Sequence, residues 1–143
     1  MPADFIIQTE HQTVFSYGWD TFTFADVKEH RNRLLHDVSF DRRFRQVANL
    51  VDVVEMKFSS DEIWTLAREP VLAPRSPRAV VAGDRQYGLA RVFDGYSEGQ
   101  NVRVFRQLQE AVEWLDLPME VAVKAFDEIR QLHGLDPANR DEG

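Results

Sequence analysis

The sequence predicts an α/β domain built on a largely parallel sheet with an antiparallel start. Three observations carry that expectation. Residues 47–54 and 78–82 are apolar on both parities, as strands covered on both faces are. Stretches with helical spacing follow each of them, so strand and helix alternate through the middle of the chain. Ahead of this, residues 5–19 hold two runs of β-branched and aromatic residues around the polar Thr9-Glu10-His11-Gln12, which reads as a hairpin.

The elements follow in order. Thr23 stands three residues before Asp26 as a capping pair, and Phe24, Val27, Leu34, Leu35 and Val38 then recur at helical spacing, giving a helix over 24–37. Arg31 falls on the same stripe and is expected at its rim, stem covered and charged end in water. A polar link over 39–43 leads to the strand at 47–54. Ser59 and Ser60 followed by Asp61 and Glu62 make a helix start; Ile63, Leu66 and Ala67 supply its inner face and Pro70 ends it. A loop with Pro74 and Pro77 leads to the strand at 78–82. Asp84 is expected to cap a helix through Leu89, Ala90, Val92 and Phe93, with Gly95 and Gly99 bracketing the turn after it. Residues 102–105 alternate as a strand with one wetter face, and Leu108, Ala111, Val112 and Leu115 mark an amphipathic helix. Pro118 suits the first turn of a last helix, which Gly134 stops.

That last helix carries Val121, Ala122, Val123, Ala125, Phe126, Ile129 and Leu132, a stripe wide enough to want two partners. It can dock on its own sheet or form a two-fold contact in a homodimer. The expected organisation is one domain over 1–117, the helix at 118–134 belonging to it or to a dimer interface, and an acidic tail over 135–143.

Composition narrows the function classes without choosing one. The 143 residues suit a single core, and 43% hydrophobic with 29% charged residues is ordinary globular usage. A net charge of −7 works against generic binding to nucleic acid or anionic membrane. No apolar run reaches the length of a spanning helix, and the start Met1-Pro2-Ala3-Asp4 has neither the basic nor the apolar segment of a signal peptide, so a cytoplasmic location is expected. The absence of cysteine removes disulfides, thiolate metal sites and cysteine nucleophiles.

Catalytic constellations are not legible. Of the four histidines, His11, His30, His36 and His133, the pair on the first helix is six residues apart, about 240° around the axis, and cannot converge on one metal as an i,i+4 pair would. They are expected to be exposed or locally bonded. Gly83 to Gly88 has phosphate-loop spacing, but Leu89 and Ala90 stand where lysine and a hydroxyl are required. Asp61, Glu62, Asp127 and Glu128 sit where solvated helix faces or first turns put carboxylates. The cluster Arg42, Arg43 and Arg45 around Phe44 reads as a solvated loop with the ring tucked into the core. No metal, no cofactor and no enzymatic activity are therefore expected.

The segment Asn49-Leu50-Val51-Asp52 through Phe58-Ser59-Ser60 resembles that of anti-sigma-factor antagonist (STAS, SpoIIAA-like) domains, in which a strand with aspartate leads to a helix opened by a serine. A nearer resemblance, to the uncharacterised SpoIIAA-like branch, spans about residues 10–117. It runs through Asp41-x-x-Phe44, Leu50-x-Asp52, Arg78-Ala79-Val80-Val81, Tyr87-Gly88-Leu89-Ala90-Arg91 with Phe93, and Val102-Arg103-Val104-Phe105, then Glu110-Ala111 and Trp114-Leu115. The resemblance implies a mixed sheet of about five strands with an amino-terminal hairpin, packed by about four helices plus the carboxy-terminal one. It also implies that Ser59 or Ser60 can be a phosphorylation switch. The residues alone allow a second reading, in which one serine is simply the N-cap and Asp61 and Glu62 oppose an added phosphate. Asp52 is expected to accept backbone amides at a strand end, with Tyr87 and Arg91 around it as ligand or surface contacts.

Two functions of different class follow. The first is a non-enzymatic regulatory module that presents Ser59, Ser60 and the helix after them to a protein partner. The second is a small-ligand or lipid-binding domain, with an apolar pocket between helices and sheet drawn from Phe24, Trp64, Tyr87 and Phe93.

Overall fold

The computed structural model describes residues 2–135. In chain order the elements are β1 (Ala3–Gln8), β2 (Thr13–Gly18), β3 (Asp20–Thr23), α1 (Phe24–Leu35), β4 (Arg45–Asn49), β5 (Val53–Lys57), α2 (Ser60–Arg68), β6 (Arg78–Val81), α3 (Tyr87–Tyr96), β7 (Val102–Phe105), α4 (Leu108–Trp114) and α5 (Met119–Leu132). A short 3-10 turn, Thr9–His11, joins β1 to β2, and Gln12 closes it in the left-handed region at φ 50°. The predicted hairpin is this antiparallel pair, in register from Ala3 opposite Gly18 to Gln8 opposite Thr13.

The main sheet has the order β1-β2-β4-β6-β7, and every pairing after the hairpin is parallel. Because successive side chains leave a strand on opposite faces, parity sorts the core. Odd positions Phe15, Tyr17, Val47, Ala79 and Val81 pack with Ala111, Val112, Ala122, Ala125, Phe126 and Ile129 of α4 and α5. Even positions Val14 and Val80 turn to the other face, where Leu34 of α1 and Ala90 of α3 cover them. The wide stripe of α5 is thus filled largely from its own chain, and Leu132 at its end remains exposed. Of the tail expected from residue 135, Leu135 packs half-buried against this core, and 136–143 lie outside the described residues.

The strand expected over 47–54 is two strands in two sheets. β4 ends at Asn49, whose side chain accepts the Val51 amide, and the Val53 amide returns to the Leu50 carbonyl to close a turn. β5 then pairs in parallel with β3 as a separate two-stranded sheet. An apolar run cannot announce such a break, since the turn rests on one asparagine side chain. Three further expectations change. Val38 and Leu35 are exposed, because α1 ends at Leu35 and its inner face is carried by His30 and Leu34. Arg31 does not end in water: its guanidinium donates to the carbonyls of Leu66 and Glu69 at 2.8 and 2.9 Å, the free carbonyl end of α2. Asp84 caps nothing; the N-cap of α3 is Gln86, which makes no side-chain cap bond, and Asp84 pairs with Arg106.

Candidate functional site

α2 opens with a reciprocal cap. Ser59 Oγ accepts the Glu62 amide at 3.1 Å, and the Ser59 amide donates back to Glu62 Oε1 at 2.8 Å. Ser59 is therefore the N-cap, with its hydroxyl committed to the helix. Ser60 is the first helical residue and points elsewhere. It is exposed, and its hydroxyl lies 2.9 Å from that of Tyr96 at the end of α3. One turn on, on the same face, Trp64 is 53% exposed. Another turn on, Arg68 holds its guanidinium 5.9 Å from the Trp64 ring centre. The two serines, Trp64, Arg68 and Tyr96 form a ridge along α2 and α3, with Asp61 exposed beside it.

Asp52 is not part of that ridge, and it does not accept backbone amides. Its carboxylate takes the hydroxyl of Tyr17 and lies 3.5 Å from a guanidinium nitrogen of Arg130, with the side chains of Asp52 and Arg130 only 8% and 6% exposed. Arg130 also reaches the Tyr17 hydroxyl at 3.3 Å and Asp127 at 2.9 Å. Burial, followed by the hydrogen bond to Asp52, pushes the Tyr17 phenol up to about 12, so at neutral pH it donates to the carboxylate. The expectation that Asp52 forms a contact site with Tyr87 and Arg91 is corrected accordingly. Tyr87 stacks under the guanidinium of Arg106 at 4.0 Å, and Arg91 is exposed on α3. The cationic partner of Asp52 lies far along the chain, on the last helix, where no local pattern announces it.

The arginine cluster is dispersed: Arg42 donates to the Val71 carbonyl, Arg43 to Asp41, and Arg45 to the carbonyls of His11 and Leu115. The histidines are dispersed too. His36 bonds the Asn32 carbonyl and His133 meets Asp4 at 2.8 Å. His30, expected at the surface or locally bonded, is buried at 8% exposure, and its Nε2 lies 3.0 Å from Ser16 Oγ. Among the described residues no group of three His, Asp or Glu side chains is placed to hold a metal.

A cavity of about 140 Å³ lies between the even face of the main sheet and helices α1, α2 and α3. Of the four aromatics expected to line a pocket only Phe93 does so; Phe24 lines a separate groove against the end of α2. Instead Leu34, Leu66, Val80 and Ala90 make its apolar wall, and Ser16, Gln46 and Arg78 stand on its sheet floor. Sequence reasoning passed over these three. Their signal was available: polar residues at even strand positions, on the face that Val14 and Val80 turn to the core.

No protein-family model matches the chain, and no curated protein matches it. Among the described residues no helix is long and apolar enough to cross a membrane. Among solved structures the chain is similar to an uncharacterised protein of the DUF3478 family with a SpoIIAA-like fold, from Shewanella loihica PV-4. The TM-score is 0.54 at 14% sequence identity, over 79% of this chain and 93% of that one. With the five-stranded mixed sheet, its antiparallel start and its five helices, this makes the fold SpoIIAA-like, as the sequence resemblance implies.

Proposed function

We propose that the chain is a non-enzymatic regulatory module that docks a protein partner through the α2–α3 ridge. The observation that carries this reading is Trp64: a large aromatic half in solvent, one turn from Ser60 and flanked by Arg68. Tryptophan, tyrosine and arginine are the residue types that dominate binding energy when a partner buries them, and here all three share one ridge. Ser60 at its rim is the hydroxyl open to modification, because Ser59 is held in the cap. A phosphate on Ser60 would add about −1.5 to −2 charges at the edge of the same surface. A nucleic-acid partner is disfavoured by the net charge of −7.

The test is capture from native lysate by the wild-type chain, by Trp64→Ser and by the charge reversal Asp61→Lys, with sedimentation of the purified chain to count copies. A stoichiometric protein partner lost in both variants is the expected result. Capture insensitive to both variants sinks the reading. So does a self-dimer whose contact runs through α5.

A further inference from the structure

The cavity on the even face has one uncompensated charge. Arg78 is 7% exposed and lies at the start of β6, directly across the ladder from Gln46. Its guanidinium has the Phe93 ring at 5.4 Å and one long hydrogen bond, 3.3 Å, to the Gln100 side-chain oxygen. Its Nε is buried without a partner, and among the described residues no carboxylate pairs with it. Buried cations in folded proteins are ordinarily paired, since leaving one alone in an apolar setting costs several kcal/mol or more. Burial, and behind it the like charge of Arg31, draws the pKa of Arg78 down to about 9, which still leaves it charged at neutral pH.

A second polar side chain with an unmet ring nitrogen, His30, lines the same cavity. Ser16 Oγ accepts the Gln46 side-chain amide at 3.0 Å and lies 3.0 Å from His30 Nε2; where the Ser16 hydroxyl donates to that nitrogen, the neutral imidazole carries its N–H on Nδ1. That Nδ1 is buried and has no partner either. The cavity walls are otherwise mostly aliphatic and aromatic. Its volume of about 140 Å³ is close to the ~150 Å³ cavity that accommodates a benzene ring in other proteins.

We infer that this cavity is a binding site for a small amphipathic carboxylate, with an apolar body the size of one ring or a short chain and its anionic head against Arg78. The inference is independent of the α2–α3 ridge and does not need a protein partner. The test is titration of the full chain with phenylacetate and hexanoate, each beside its neutral amide, read by calorimetry and by backbone amide shifts. Saturable binding of both acids is expected, at least tenfold tighter than the amides, with shifts centred on Ser16, Gln46, Arg78 and Ala90. Arg78→Gln is expected to remove the preference for acid over amide. Amides binding as tightly as acids, no binding of either, or shifts centred away from these residues would each overturn the inference. The comparison of acid with amide is made on the wild-type chain, so it decides even if Arg78→Gln does not fold.

Discussion

The guanidinium of Arg130 on α5 reaches the carboxylate of Asp52 in the turn between β4 and β5, 3.5 Å apart, and both side chains are buried. The Tyr17 hydroxyl completes the group, so the last helix, the second strand and the turn after β4 are tied at one point. Removing one member of a buried, hydrogen-bonded ion pair costs about 3–5 kcal/mol, because it leaves the other charge buried and poorly compensated. Arg130→Met is expected to lower unfolding free energy by about 3 kcal/mol. Tyr17→Phe is expected to lower it by about 1–2 kcal/mol. The double variant should lose less than the sum of the two, since they share Asp52. Urea unfolding of the three variants measures this; an Arg130→Met midpoint indistinguishable from wild type contradicts it.

The two serines at the start of α2 should separate cleanly. Ser59→Ala removes an N-cap whose hydroxyl accepts the Glu62 amide, and is expected to cost about 1 kcal/mol. Ser60→Ala removes an exposed hydroxyl pair with Tyr96, and is expected to change stability by less than about 0.5 kcal/mol. Thermal or urea unfolding of both distinguishes them. Equal losses would mean that Ser60 carries structure as well, and would remove it as the hydroxyl open to modification.

What was legible in the sequence follows a pattern visible at particular residues. The Thr23–Asp26 capping pair, the helix start at Ser59-Ser60 and the amino-terminal hairpin are local signals, and the structure holds all three. The break after Asn49 was not legible, because an apolar run on both parities is compatible with one long strand or two short ones. Asp52 and Arg31 share a reason for departing from expectation: each is satisfied by atoms far along the chain, on α5 and at the end of α2. The cavity floor was overlooked differently. Gln46 and Arg78 stand at the edges of apolar runs, where a polar residue carries no local sign of a core face, although their even parity turns them inward.

Arg31 tests the reading of long-range capping. Its guanidinium fork donates to two carbonyls that α2 cannot satisfy internally, and hydrogen bonds from a charged donor contribute about 1.5–3 kcal/mol. Arg31→Met is expected to destabilise the chain by about 2 kcal/mol and to raise amide exchange preferentially in the last turn of α2. Arg31→Lys should recover only part of the loss, because an ammonium lacks the planar fork that meets both carbonyls. Uniform exchange changes across the chain, or full recovery by lysine, would contradict the capping role.

His30 gives the fold a predictable response to acid. Its ring is enclosed by Ser16 and the edge-on Phe5, and burial, with the nearby charge of Arg33, pulls its pKa down to about 4 from an ordinary 6.5. The sign follows from proton binding. Between pH 6.5 and 4 the unfolded chain takes up a proton here that the folded chain refuses, so stability falls as pH drops through this window and levels off below it. The full loss attributable to His30 is roughly 3 kcal/mol, the free-energy equivalent of the shift. Carboxylates titrate at the lower end of the same window, so the discriminating measurement is the difference between wild type and His30→Gln in urea unfolding across it. The variant is expected to be less stable at pH 7.5, having lost the imidazole from its place against Ser16, yet to lose less stability on acidification. Its curve should therefore converge on that of the wild type as pH falls. Parallel curves would mean that the imidazole takes up its proton in the folded chain as readily as in the unfolded one, and would contradict the enclosed neutral ring.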